Sequence, residues 1–250
     1  MRTTRIYTRA PLASRAAVVL EPEPSHHLTR VLRLGVGDTL TVFDGRGGEY
    51  PCEITAIDKK QVQIRTGEHL PRECESPLSI HLGIAVSRGE RMDWIVQKAT
   101  ELGVTALTPL ATEHCGVKLD TERAAKKIQH WQQIAISACE QCGRNRPPAI
   151  HVIQPLQQWL AVTEAERKFV LHHRAQSAVF ASVASGAGAT PESVALLVGP
   201  EGGLSETEIT AAEQAGYSAL RLGPRVLRTE TAPLAAIAVL QAYWGDMRPG

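Results

Sequence analysis

From Thr39 to Arg65 apolar residues alternate with polar ones: Leu40 and Val42, then Tyr50, Cys52 and Ile54, then Val62 and Ile64. A period of two predicts half-buried strands. Asp44-Gly45 and Gly47-Gly48 supply residues that tolerate the positive φ of hairpin turns, and Asp58-Lys59-Lys60 makes a further polar turn. A small β-barrel or sandwich follows. His69 to Leu78, with two prolines and mixed charge, reads as the link to a second domain.

Beyond this link the pattern changes to strands alternating with helices. The apolar run Ile80 to Val86 predicts a strand, and Met92, Ile95, Val96, Ala99 and Leu102 follow helical spacing after Arg88, with Gly103 placed to end the helix. Val104 to Leu110 is the next strand. Ile128, Trp131, Ala135 and Ala138 predict a helix over residues 121 to 142, with Thr121 as its cap. Strands follow at Lys168 to His172, Val194 to Val198 and Ala219 to Leu222, and an Ala-rich helix runs from Thr231 to Tyr243. Residues 181 to 191, rich in Ala, Ser and Gly, read as a flexible surface loop. Ser205 and Glu208 form a Ser-x-x-Glu capping box after the glycine loop. Alternating strands and helices argue for an α/β domain with a mostly parallel sheet covered on both faces.

A chain of 250 residues and 27.1 kDa accommodates this division, a small barrel over residues 1–72 and a larger α/β domain over 73–250. No run of 18 apolar residues appears, which argues against a membrane span. The N-terminus, Met1 to Tyr7, lacks the apolar stretch of a secretory signal, so a cytoplasmic home is expected. Five cysteines, an odd number, fit reduced thiols better than a disulfide framework. The net charge of +1 does not point to nucleic acid, but residues 1 to 72 hold 11 Lys and Arg against 8 Asp and Glu, with His26 and His27 beside them.

Two loops carry the chemistry. Gly199-Pro-Glu-Gly-Gly203 joins a strand end to a helix start, where open α/β sheets bind ligands. Taken alone it is also compatible with a tight turn and a helix cap, and its spacing is neither a P-loop nor a dinucleotide fingerprint. Leu222-Gly-Pro-Arg-Val-Leu-Arg-Thr-Glu-Thr-Ala232 again joins strand to helix. It crowds Arg225, Arg228, Thr229 and Glu230 into one connection, with Val226 and Leu227 expected to hold it against the core. Arg228 and Glu230 could instead cap the last helix and pair on the surface.

These loops, with Gln97-Lys-Ala-Thr-Glu-Leu-Gly-Val104, Glu140-Gln-Cys-Gly-Arg144 and Arg30-Val-Leu-Arg-Leu34, resemble the bacterial 16S rRNA (uracil-N3)-methyltransferases of the SPOUT superfamily over nearly the whole chain. The resemblance implies a C-terminal SPOUT domain with a deep trefoil knot, an exception to the rule that chains do not thread, preceded by a PUA-like RNA-binding barrel. It implies S-adenosylmethionine as cofactor, held by Leu171, His172, Leu197, Gly199, Glu201, Gly202, Gly203, Leu222, Gly223, Val226, Leu227 and Thr229. It also implies a homodimer acting on 16S rRNA of the small ribosomal subunit, with the decoding-region uridine 1498 as target.

The N3 of uracil is an imide nitrogen, protonated at neutral pH, so its attack on a methyl group needs a proton acceptor and stabilisation of the emerging negative charge. Arg228, supported by Arg225, is expected to steady that charge, and Glu230 to accept the proton, with Glu201 in reserve; Glu230 could also serve only to order the loop. Arg5, His27, Arg30, Arg33, Gln141 and Arg144 are the candidates for contacts to RNA. His26 is a candidate of the same kind.

Cys139-Glu-Gln-Cys142 has a metal-site spacing but lacks a second pair, so no metal is expected. Trp94 and Trp131 read as core or interface residues. Two other functions fit parts of the pattern: a non-catalytic RNA-binding protein of the same fold, and a nucleotide-dependent oxidoreductase. The missing dinucleotide glycines argue against the second.

Overall fold

The computed structural model describes residues 3–58, 61–87, 89–115, 121–172 and 189–248. The expected turn at Lys59-Lys60, Arg88, His173 and residues 181 to 188 of the expected surface loop lie outside them. Two compact units form, one from Met1–Glu75 with Ile136–Pro147, the other from Ser76–Ala135 with Pro148–Gly250. Residues 69–75, expected as a linker, fold with the first unit, and residues 136–147 join it from far along the chain.

The first unit is a five-stranded sheet in the order β1 (Arg5–Tyr7), β3 (Thr39–Phe43), β4 (Tyr50–Asp58), β5 (Gln61–Thr66), β2 (Ala17–Val19). The alternating residues behave as the period of two requires: Leu40, Val42, Cys52, Ile54, Val62 and Ile64 all enter one core with Ile6, Val18, Leu20 and Leu28. Gly45, Gly47 and Gly48 all take positive φ in the β3–β4 connection. Between β2 and β3 lie the short helix α1 (Pro22–His26) and a wide turn, His27–Val31, in which Leu32 N–H donates to the His27 carbonyl five residues back. This turn exposes Arg30, Val31 and Leu32 and ends at Arg33, whose φ of 57° is left-handed.

The second unit is a seven-stranded parallel sheet, ordered β12 (Ser218–Leu220), β10 (Arg167–Leu171), β11 (Ser193–Val198), β6 (Ser79–Ala85), β7 (Ala106–Ala111), β8 (Ala149–Ile150), with β9 (Gln154–Pro155) also on β7. Parallel strands need crossovers, and the crossovers cover both faces. On one face Ile80, Leu82, Ile84, Leu196 and Val198 meet helices α2 (Arg91–Glu101), α3 (Thr121–Cys142) and α6 (Thr231–Trp244) through Ile95, Trp131 and Ile237. On the other, Ala195 and Leu197 meet α4 (Leu156–Val162) and α5 (Glu206–Gln214) through Trp159, Ile209 and Ala212. A side chain at Gly83 would occupy the space of the Trp159 indole, so the glycine lets α4 approach the sheet. Gly103, at φ +88°, ends α2 where expected.

Candidate active site

Because β10, β11 and β12 are parallel neighbours, their C-terminal ends lie on one edge. Their register makes those ends level: Leu171 pairs with Val198 on one side and with Leu220 on the other. These ends, with the residues 199–204 and 221–229 that follow β11 and β12, line a cavity of about 230 Å³. Both loops read from the sequence line it. Its wall contains Leu171, His172, Gly199, Glu201, Gly202, Gly203, Leu222, Gly223, Arg225, Val226, Leu227 and Thr229.

Leu197 is placed otherwise. It is fully buried and packs with Trp159 and Leu204 on the opposite face of the sheet, because successive side chains along β11 point to opposite faces. Val226 also departs from expectation: it lines the cavity but turns its side chain outward instead of anchoring the loop in the core, while Leu227 is half-buried.

The glycine loop has a steric explanation. A Cβ on Gly199 would lie 2.9 Å from Leu204 Cγ and 3.0 Å from Leu204 N, and Gly203 has φ +73°. The chain therefore turns back on itself immediately after β11. The capping box then fixes the start of α5: Glu208 N–H donates to Ser205 Oγ (3.2 Å), and Ser205 N–H donates to Glu208 Oε2 (2.9 Å). Glu208 is buried, and its Oε1 accepts from Glu113 N–H (2.8 Å), which ties the loop after β7 to the same helix start. His114 Nδ1 lies 3.0 Å from the Gly203 carbonyl, so that loop also braces the glycine turn.

A wider groove of about 1000 Å³ lies beside the cavity, and Glu201 and Gly202 belong to both walls. Glu230 lines this groove, not the smaller cavity. Its carboxylate stands between two guanidinium groups, 3.8 Å from Arg91 Nε and 3.9 Å from Arg228 Nη1. Arg91 also forms a close ion pair with Glu201. Arg228 leaves 83% of its side-chain surface exposed and lines neither space. Neither Arg228 nor Glu230 caps α6 with a side-chain hydrogen bond; the Arg228 carbonyl accepts from Thr231 and Ala232 instead. Arg91 was not singled out in the sequence, where it is an ordinary charge at a helix start.

The expected RNA-contact residues divide. His27, Arg30 and Arg33 lie on or beside the wide turn of the first unit, with Arg30 and Arg33 exposed, and Gln141 is exposed as well. Arg5 and Arg144 are turned inward. Arg5 pairs closely with Glu49, donates to Asn145 Oδ1 (2.6 Å) and lies 4.9 Å from the Phe43 ring centroid; Arg144 is buried against Glu75 at 2.6 Å. Neither guanidinium is presented for a phosphate, because removing it from its carboxylate would leave a buried charge unpaired.

Cys139 is buried and Cys142 half-buried, neither in a disulfide, and among the described residues no cluster of His, Cys, Asp and Glu side chains is arranged to hold a metal ion. Trp131 is core. Trp94, on α2, is not: it is 52% exposed in the groove. No described helix is long and apolar enough to cross a membrane.

Residues 74–241 match the family model of the RNA methyltransferase domain, and residues 20–66 match that of the RNA methyltransferase PUA domain. The ribosomal RNA small subunit methyltransferase E of Buchnera aphidicola subsp. Schizaphis graminum is 38% identical over 98% of this chain and 98% of its own. Among solved structures, a Legionella pneumophila protein described as a methyltransferase, in complex with bound SAM, is 43% identical with a TM-score of 0.93, over 98% of this chain and all of the other. The ribosomal RNA small subunit methyltransferase E of Neisseria gonorrhoeae, bound to S-adenosylmethionine, is 38% identical with a TM-score of 0.88, over 98% and 99% of the two chains. The resemblance read from the loops is met along the whole chain, which belongs to the RNA methyltransferase family that includes the ribosomal RNA small subunit methyltransferases E.

Proposed function

We propose that this protein transfers the methyl group of S-adenosylmethionine to N3 of a uridine in 16S rRNA, with uridine 1498 as the target. The observation that carries this reading is the cavity at the level ends of β10, β11 and β12, walled by both loops that the sequence singled out. The wall fits the cofactor: Leu171, Val198 and Leu220 from the three strand ends suit its apolar parts, Gly199, Gly202 and Gly203 let backbone approach closely, and Glu201 and Thr229 offer polar partners. The relatives from Legionella pneumophila and Neisseria gonorrhoeae hold S-adenosylmethionine.

When bound, S-adenosylmethionine supplies an electrophilic methyl group on a sulfonium. The protein's own residues supply the rest. Glu230, at the groove, accepts the N3 proton; Arg228 and Arg225, from the same connection, balance the negative charge that moves onto the uracil. They share one short connection with residues of the cofactor cavity wall, and orientation of two bound reactants can supply roughly 7–11 kcal/mol of barrier reduction. His27, Arg30, Arg33 and Gln141 take RNA contacts from the first unit.

The second unit is read as a knotted SPOUT domain, and the protein as a cytoplasmic homodimer that needs no metal. Helix α6, Thr-Ala-Pro-Leu-Ala-Ala-Ile-Ala-Val-Leu-Gln-Ala-Tyr-Trp, is apolar around most of its circumference, yet Leu234, Val239 and Tyr243 keep exposed surface. That composition suits a face covered by a second copy.

The test is methyl transfer from labelled S-adenosylmethionine to small ribosomal subunits lacking the modification, followed by nucleoside analysis. 3-Methyluridine is the expected product. A different methylated nucleoside overturns the target atom, and absence of cofactor binding overturns the enzymatic reading itself.

A further inference from the structure

The groove beside the cofactor cavity has no role in the reading so far beyond holding Glu230. We infer that it is the seat of the target base, with Trp94 as the surface on which the base stacks and Arg91 as the positioning residue that sets Glu201 and Glu230 around it. This inference rests on the methyl-transfer reading and deepens it.

The shape and the charge of the groove select a base and not a phosphate. Its volume of about 1000 Å³ is ample for one nucleotide, and it shares Glu201 and Gly202 with the cofactor cavity, so a base seated there adjoins the bound methyl donor. Among the described residues, three carboxylates, Glu90, Glu201 and Glu230, face it beside the guanidinium of Arg91. A phosphate would be repelled. A flat heterocycle that offers a ring N–H on its edge is complementary, because that N–H donates to a carboxylate. That is the edge of uracil, with O2, N3–H and O4.

Trp94 meets the requirement for stacking. It stands on the first turn of α2, where its N–H donates to the Glu90 carbonyl (3.1 Å), and its indole stays 52% exposed in a chain with only 4% aromatic residues. Lys98 Nζ lies 5.1 Å from the ring centroid and is itself tied to Glu101 (2.8 Å), which steadies the indole without filling the groove.

Arg91 contacts both chemistry-bearing loops, through Glu201 of the first and Glu230 of the second. A guanidinium reaches two carboxylates at once through different nitrogens, Nη1 for Glu201 and Nε for Glu230. A lysine ammonium is a point charge and cannot hold both in that geometry. Arg91 is thus placed to orient the proton acceptor, not to touch the methyl group.

The experiment compares the full-length wild type with W94A, W94F, R91K and R91Q, reading S-adenosylmethionine Kd by calorimetry, then KM for unmodified small subunits and kcat separately. Loss of a stacking face is expected to raise KM for RNA roughly tenfold or more in W94A, with W94F restoring most of it and cofactor Kd within about twofold of wild type. R91K and R91Q are expected to lower kcat at least tenfold with KM and cofactor Kd little changed, a split that a merely structural role would not produce. Both sites are partly exposed, so circular dichroism should show folded variants. If the wild type methylates RNA while W94A keeps its KM and R91K its kcat, the groove assignment falls and the enzymatic reading stands. If the wild type neither binds the cofactor nor methylates RNA, both fall together.

Discussion

Arg5 and Glu49 form an ion pair in which the two side chains keep only 10% and 11% of their surface exposed. The pair joins β1 to the β3–β4 connection, and further bonds from Arg5 reach Asn145 and the carbonyls of Gly143 and Arg144, while Arg72 Nη1 approaches Glu49 at 3.1 Å. Segments remote in sequence thus share one desolvated charge cluster. Truncating one member strands the other, so Arg5→Ala should destabilise the first unit by about 3–5 kcal/mol. Urea denaturation monitored with a probe in that unit measures this. An unchanged midpoint would mean that the cluster is not a structural clasp and would return Arg5 to the RNA-contact candidates.

Glu230→Gln keeps the shape of the side chain and removes its basicity. On the proposed chemistry kcat should fall on the order of 10²–10⁴-fold, with cofactor affinity essentially retained because Glu230 lies outside the cofactor cavity wall. Single-turnover kinetics on saturated enzyme separates this from a binding defect. A wild-type rate would assign Glu230 to loop order alone.

Gly199→Ala adds a methyl group that would lie 2.9 Å from Leu204 Cγ and 3.0 Å from Leu204 N, and the second of these is backbone. The turn must open to admit it. Cofactor Kd should weaken by about tenfold, equivalent to ~1.4 kcal/mol, whereas Gly35→Ala, in the first unit, absent from both walls and with nothing nearer its Cβ than Asp38 Oδ2 at 4.0 Å, should leave it unchanged. Calorimetric titration of both variants decides.

His81, on β6, bonds through Nε2 to Thr108 Oγ1 (2.8 Å), which in turn meets His151 Nδ1 (2.9 Å). Burial, and secondarily the neighbouring His151, lower the His81 pKa to about 4 from 6.5. The unfolded chain therefore binds a proton between those values that the folded chain refuses. The stability due to this group is complete above about pH 6.5 and is lost as pH falls toward 4, at most about 3 kcal/mol. Melting temperatures measured from pH 7 to pH 4.5 should drop, and His81→Gln should flatten that slope. An identical slope in the variant would place the titrating group elsewhere.

The thiols should differ in reactivity. Burial pushes Cys52 up to about 12, and Cys139 is also buried with its pKa raised, foremost by its contact with Cys142 and then by burial, so both stay protonated and shielded. Cys74 is exposed, 3.1 Å from Arg72 Nη2. Iodoacetamide at pH 8 followed by peptide mass spectrometry should find Cys74 modified first and Cys52 and Cys139 last; rapid labelling of Cys52 in folded protein would contradict the packing of the first unit.

Much of this architecture is legible in local pattern. Helix α3 spans the residues its spacing predicts, the Ser205–Glu208 capping box forms, and the strands at 79–85 and 193–198 fall within a residue or so of the apolar runs. Strands β1 and β2, only three residues each, carry too little periodicity to read and exist because β3 and β5 pair with them. Leu197 shows a different limit. Every residue from Val194 to Val198 is buried, so no polar alternation reveals which of them face the helices and which the opposite side. Arg91 carries no signal in the sequence and Trp94 reads there only as core or interface, for a third reason: a charge and an aromatic on an amphipathic helix are common, and the approach of the 199–203 and 222–230 loops is what sets them beside a groove.

The register of the parallel sheet has a consequence for how the protein comes to be active. Leu171 pairs with Val198 and with Leu220, so the strand ends that define the cavity become neighbours only after the chain between them has been brought round. Pairings of such sequence separation form late and slowly. A chain in which β12 has not yet joined β10 lacks one wall of the cofactor cavity. A ligand that recognises only the finished sheet stabilises that sheet by mass action, which makes cofactor supply a chaperone-like influence on the yield of folded enzyme.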